Sequence, residues 1–340
     1  MRIRAIAAAA CAVALLQPAA GRAAMTIVHT VEDLERGPAS IAFDLITDLA
    51  WVGSVTDDTI NIFAGVQPVA KITQPGLNPT GIAIDALGQR ALVTSFGSNK
   101  LLAYSTLDRR KIASIDVPGG PWGVDVNPRD GTAYVATFWE NALTVVRRDN
   151  TTQKIALPGC GGAIGAAYSV PASRVVVSCI YSGTVHVLDG ATLATINVID
   201  IGLGAYSWGV AASLRDATVY ITNWSGGAVD KGTVTVVDAN LAAIVATGFT
   251  GGAPIGIALS PLGTPYVTLS ATNELAVLEP GSGLVAERVA LPVDEPDDDE
   301  DLPHGKNQPH AVAVHPSGRY AIVGNFHVES VSFVSAAPHL

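Results

Sequence analysis

Three histidines, His304, His310 and His327, follow closely on an acidic run, Asp294 to Asp301 (DEPDDDED). Imidazole and carboxylate together can hold a divalent cation or move protons near neutral pH. Their spacing matches no metal-ligand motif. The run also lacks the glycine and the alternation of a calcium-binding loop. The histidines therefore read as hydrogen-bonded surface groups, and residues 293–308 as a solvated, mobile insertion. No metal and no cofactor is assigned; a divalent cation on these groups is the lesser alternative.

Other familiar chemistry is missing. There is no G-x-S-x-G, no H-E-x-x-H and no phosphate loop with a trailing lysine. The glycine-rich stretch Gly159 to Gly165 leads into a strand pattern, not a helix, so it carries no dinucleotide signal. His186 falls at a polar strand position and reads as an ordinary sheet residue. His315 falls in a turn. The net charge of −10 and the absence of a basic patch argue against a nucleic-acid partner.

The elements that must position these residues repeat seven times. Copies begin at Ser40, Gly81, Gly123, Gly165, Gly209, Gly256 and Ala311. In the clearest copy, Gly81–Asp85, Arg90–Ser95, Asn99–Tyr104 and Lys111–Val117 are short β-type segments separated by Gly, Asn, Asp or Pro turns. A repeat of roughly 40–45 residues with four strands predicts propeller blades. The fold expected is all-β: one seven-bladed propeller of four-stranded antiparallel blades over residues 24–336. The seventh copy ends near Val334 after three strands. Met25–Val31 (MTIVHTV) has the character of the missing one, and its pairing there would close the ring and remove a free sheet edge.

The second strands read LVTS (Leu92–Ser95), YVAT (Tyr134–Thr137), YITN (Tyr220–Asn223), YVTL (Tyr266–Leu269) and IVGN (Ile322–Asn325). This resembles the YVTN-type β-propeller repeat over nearly the whole chain. The resemblance implies a fold far more than an activity. Relatives of that repeat family include an antibiotic-ring-opening lyase and lactonase-like propellers, which use channel-lining histidines and carboxylates, often with a divalent cation.

At the N-terminus, Arg2 and Arg4 precede an apolar run, Ala5 to Leu16, and then Gly21-Arg22-Ala23. This is the pattern of a secretory signal peptide over residues 1–23. The run is too short to span a bilayer, and no later segment is long and apolar enough. A periplasmic or secreted product follows, in an oxidising compartment. Cys160 enters blade four and Cys179 ends its second strand at the same end of the blade, so a Cys160–Cys179 disulfide is expected.

Antiparallel alternation sorts the turns onto two faces. The connections entering each blade and the turns between strands two and three share the upper one. That face collects Phe96, Trp122, Phe138, Trp139, Tyr181, Trp208, Trp224, His310, Phe326 and His327. The residues just before each copy, Ala39, Thr80, Trp122, Ile164, Trp208, Ile255 and His310, would form a mostly apolar ring around the axis. Two readings of the tryptophans stand: a recognition surface, or packing between blades. Two residues into each copy stands alanine, except at Asp125 of blade three. A carboxylate there must be paired, hydrated or protonated; capping neighbouring amides is the simpler role, and anchoring a ligand or proton the alternative.

The expectation is a non-enzymatic exported propeller that binds a small molecule or an exported protein partner. Its upper face would supply Phe96, Trp122, Trp139, Tyr181, Trp208, Trp224, His310 and His327. The alternative is a propeller lyase or lactonase that uses channel-lining His and Asp with a divalent cation.

Overall fold

Seven four-stranded antiparallel sheets are arranged around a central channel in the computed structural model, which describes residues 24–32, 34, 36–292 and 308–335. The leader expected over residues 1–23, the acidic run and His304 lie outside the described residues. Blades one to six are consecutive meanders. Blade two, for example, runs Pro79–Asp85, Arg90–Ser95, Lys100–Ser105 and Lys111–Asp116. Its innermost strand starts two residues before the sequence repeat, where the ladder register shifts between Pro79 and Gly81.

Blade seven is composite. Its order is Thr26–Val31, Ser330–Ser335, Tyr320–Asn325, Pro309–Val314, with the N-terminal strand antiparallel to the C-terminal one. The closure expected from MTIVHTV is thus present. Met25 is buried against Val289, Leu291 and Val334. The amide of Leu34 donates to the Glu329 carbonyl at 2.8 Å.

The hydrophobic core is divided into seven wedges, one between each pair of neighbouring blades. Tyr134, Leu143 and Val145 of blade three pack on Ala166, Val175 and Val177 of blade four. Trp51, Ile60 and Ile62 of blade one pack on Ile82, Val93 and Leu102 of blade two. Central strands are therefore buried on both faces and read as continuous apolar runs, such as ALTVV (Ala142–Val146). Outermost strands face water; Gln67–Thr73 is mostly exposed. Among the described residues no helix is long and apolar enough to cross a membrane.

An ion-paired node joins blades two and three below. Asp85 is fully buried. It accepts from Arg90 at 3.0 Å and from Arg148 at 2.9 Å, and Arg90 also donates to the Gly131 carbonyl.

Candidate functional site at the channel mouth

In the copies that begin with glycine, the innermost strands approach one another too closely for a side chain at that position. A Cβ on Gly81, Gly123, Gly165 or Gly209 would sit 2.5–2.6 Å from the carbonyl oxygen of Trp122, Ile164, Trp208 or Ile255 in the next blade. In blades two, four, five and six the third residue of the YVTN-like segment is a hydroxyl residue that holds the next blade's carbonyl; blade three has Ala136 there. Thr94 donates to the Trp122 oxygen at 2.6 Å, and Ser178 to that of Trp208 at 2.8 Å. Thr222 donates to Ile255 at 2.7 Å and Thr268 to His310 at 3.0 Å. The repeat motif is thus a clamp between blades, and what it fixes is the backbone of the ring residues.

All seven residues expected to ring the axis, from Ala39 to His310, line one cavity of about 310 Å³, together with Phe326. His310 is the one ionisable side chain among its lining residues. Trp208 meets the His310 ring edge-on at 5.6 Å, and Phe326 lies at 5.1 Å on its other side. Desolvation in this apolar setting, with a smaller contribution from nearby His327, pushes the His310 pKa down to about 4. The imidazole is neutral at physiological pH. His327 stands beside it and bonds Gln308 at 3.0 Å.

From the cavity the aromatic residues continue outward as an unbroken band. Trp122 touches Phe96 at 5.2 Å, Phe138 at 5.8 Å and Trp208 at 6.2 Å between ring centres. Phe138 meets Trp139 at 4.6 Å and Tyr181 at 5.7 Å. Tyr206 bridges Tyr181 to Trp224, which returns to Trp208 at 5.9 Å. Trp139 is 68 % exposed and Tyr181 58 %, whereas Trp122 and Trp208 are half-buried at the mouth. A second, smaller cavity of about 220 Å³ adjoins, lined by Trp208, Trp224, Ser270, Gln308, His310 and Phe326. The structure therefore brings all eight aromatic and histidine candidates to one end of the ring. Tyr206 was missed by the sequence reading. Its signal was its place in the connection entering blade five, on the same face.

Asp125 is not part of this group. It lines a different cavity of about 510 Å³ at the other end of the channel, with Phe43, Pro128, Leu214 and Pro261. The two share only Ile41, Ile257 and Val312 among their lining residues. Its carboxylate accepts from the amides of Tyr168 at 2.7 Å and Val126 at 2.8 Å. These bonds favour the charged form, but desolvation outweighs them and pushes the pKa up to about 6. Asp125 is an amide cap joining blades three and four, and His310 and Asp125 do not converge on a common ion.

Cys160 and Cys179 form the expected disulfide, with Cα atoms 5.4 Å apart. His186 departs from the reading of it as an ordinary sheet residue. It is fully buried, neither ring nitrogen has a hydrogen-bond partner, and burial holds its pKa below the usual histidine value. His315 sits in a lower turn, bonded to Asp48 and Ser317 at 2.7 Å each.

No family model matches the chain, and no curated protein matches its sequence. Solved structures similar to the chain share its fold at low identity. Virginiamycin B lyase from Staphylococcus aureus superposes with a TM-score of 0.75 at 12 % identity, covering 92 % of this chain and 99 % of that one. Hydrazine synthase from Kuenenia stuttgartiensis gives 0.74 at 15 %, covering 91 % and 98 %. The β-propeller domain of Cps50 (Swd1) from Myceliophteria thermophila gives 0.71 at 14 %, covering 92 % and 99 %. A lyase, a synthase and a β-propeller domain share this architecture, so the likeness carries the fold alone.

Proposed function

We propose that this chain is an exported binding protein whose upper channel mouth takes an uncharged, flat, apolar group. That group is a small molecule or a side chain on the loop of an exported partner. The observation that carries the reading is the composition of the mouth: an apolar ring clamped by inter-blade hydrogen bonds, a continuous aromatic band around it, and a neutral His310 as the single ionisable side chain lining the cavity. Such a surface stacks on a planar ligand and offers one imidazole to orient it. The disulfide fits an oxidising compartment, in keeping with the leader pattern.

A lyase or lactonase of the kind the repeat resemblance suggests would need an acid–base pair or a cation site beside His310. The candidate carboxylate, Asp125, opens onto the opposite end of the channel. That separation takes Asp125 out of any pairing with His310 and supports binding over the His–Asp chemistry of that alternative.

The test uses N-phenyl-1-naphthylamine, an uncharged fluorescent aromatic probe. Saturable binding is expected for the wild-type protein, lost in Trp208→Ala and retained in the lower-face control Arg129→Ala. Absence of saturable binding, or equal binding in all three proteins, would overturn the reading.

A further inference from the structure

Blades five and seven share a polar node that blade four lacks. In blade five the Asn223 amide donates to Thr233 at 3.0 Å and Thr235 at 2.9 Å. In blade seven Asn325 donates in the same way to Ser330 and Ser332, both at 2.9 Å. The strand register puts Cys179 in the asparagine place of blade four, opposite Thr184, and puts His186 in the Thr235 place, opposite Val177. Cys179 and His186 therefore lie diagonally on one face of the sheet. Cys160 reaches the same point from the connection entering the blade. The result is a buried imidazole with no hydrogen-bond partner, facing two sulfurs, where its counterparts are satisfied hydroxyls. An unpartnered buried polar group is destabilising, so its presence asks for a reason.

We infer that Cys160, Cys179 and His186 become a buried Zn2+ site when the disulfide is reduced. Their ligand atoms all lie within 4.8 Å of one another. Around tetrahedral zinc, with Zn–S near 2.3 Å and Zn–N near 2.0 Å, neighbouring ligand atoms stand roughly 3.5–3.8 Å apart. The sulfurs need only separate from their bonded distance, while the imidazole closes in by at most about 1.3 Å. Two thiolates and a neutral imidazole exactly balance a divalent charge, which a buried site favours over a monovalent cation. Cys160 is the one ligand residue with any exposure, at 8 %.

The chemistry balances with a dithiol reductant. The reductant supplies two electrons and two protons, the S–S bond breaks, and the reductant leaves as its own disulfide. Zn2+ then displaces the two thiol protons to solvent as two Zn–S bonds form. Zinc retention would thus report the redox state of blade four.

The experiment treats the mature protein with a phosphine reductant, adds Zn2+, desalts and measures bound metal. One zinc per reduced chain is expected, none in the oxidised protein, and none in the Cys160→Ser/Cys179→Ser double variant, which keeps every exposed carboxylate. Co2+ in place of zinc should show sulfur-to-metal charge-transfer absorption. His186→Thr, which restores the residue type of blade five, should weaken zinc binding by about tenfold or more. Equal zinc in the reduced protein and the double variant would overturn the proposal. So would undiminished affinity in His186→Thr. Loss of near-ultraviolet circular dichroism on reduction that zinc fails to restore would overturn it as well.

Discussion

Truncating Trp122 and Trp51 separately distinguishes a mouth residue from a packing residue. Trp51 is wholly enclosed between blades one and two, among Ile60, Ile62, Leu77 and Val93. Truncating such a ring to alanine costs about 3–5 kcal/mol. Trp122 is half-buried. Its contacts are other rings at the mouth, and the clamp from Thr94 grips its backbone carbonyl, which the substitution leaves in place. Partial exposure and a clamp that survives the substitution bring the loss below that of Trp51, to about 2 kcal/mol. For a domain of about 300 residues the unfolding entropy is roughly 0.6 kcal/mol/K, so Trp122→Ala should lower Tm by about 3 °C and Trp51→Ala by about 6 °C. Paired thermal melts read the first effect, and titration with the naphthylamine probe reads the second. Binding should vanish in Trp122→Ala and survive in Trp51→Ala at a temperature where both are folded. A Trp122→Ala protein that melts as low as Trp51→Ala and still binds the probe would show that the mouth tryptophans serve packing, and would remove the site.

Asp125 and His310 should pull stability in opposite directions with pH. The native Asp125, titrating at about 6, takes its proton before the unfolded chain does, so it adds stability as pH falls from about 6 toward 4. The native His310, titrating at about 4, takes its proton after the unfolded chain does, so it loses stability from about 6.5 downward. Asp125→Asn should therefore steepen acid destabilisation relative to wild type and His310→Gln should flatten it, as read by urea denaturation from pH 7 to 4; parallel curves would contradict both assignments. Cys179→Ser opens a link across 19 residues and should cost about 3 kcal/mol, with two thiols absent from Ellman titration of the unfolded wild-type protein. Asp85→Ala strands the nearly buried Arg90 and should cost about 3–5 kcal/mol, whereas Arg148→Ala, at a 43 % exposed partner, should cost about 1 kcal/mol or less by the same denaturation.

The architecture was legible in the sequence because each blade obeys the same local rules. Alternating or apolar runs of five to seven residues, separated by turn formers, specify strands, and their repetition specifies blades. Even the ring around the axis could be read, because the residue before each repeat glycine occupies the same place in every blade. The disulfide was legible for the same reason: strand alternation alone puts Cys160 and Cys179 at one end of blade four. Strand starts were read two residues late at Gly81, because the register shift after Pro79 leaves no mark in the hydrophobic pattern.

What only the tertiary structure decided depends on distances between blades and across the channel. Local pattern marks Asp125 as the odd residue among seven and suggests an amide cap, but not which amides it caps, nor that it opens at the end of the channel away from His310. The repeat shows a threonine in YVTN-like strands, but not that its hydroxyl grips a carbonyl in the following blade. His186 looked interchangeable with the threonines aligned to it. Its isolation beside a disulfide comes from a cysteine that occupies the place of an asparagine, and burial turns that exchange from a conservative one into an unsatisfied imidazole. Strand periodicity is a property of neighbours along the chain. Charge, hydrogen-bond satisfaction and protonation are properties of whatever the closed ring brings within a few ångströms, and that is fixed only when all seven blades are in place.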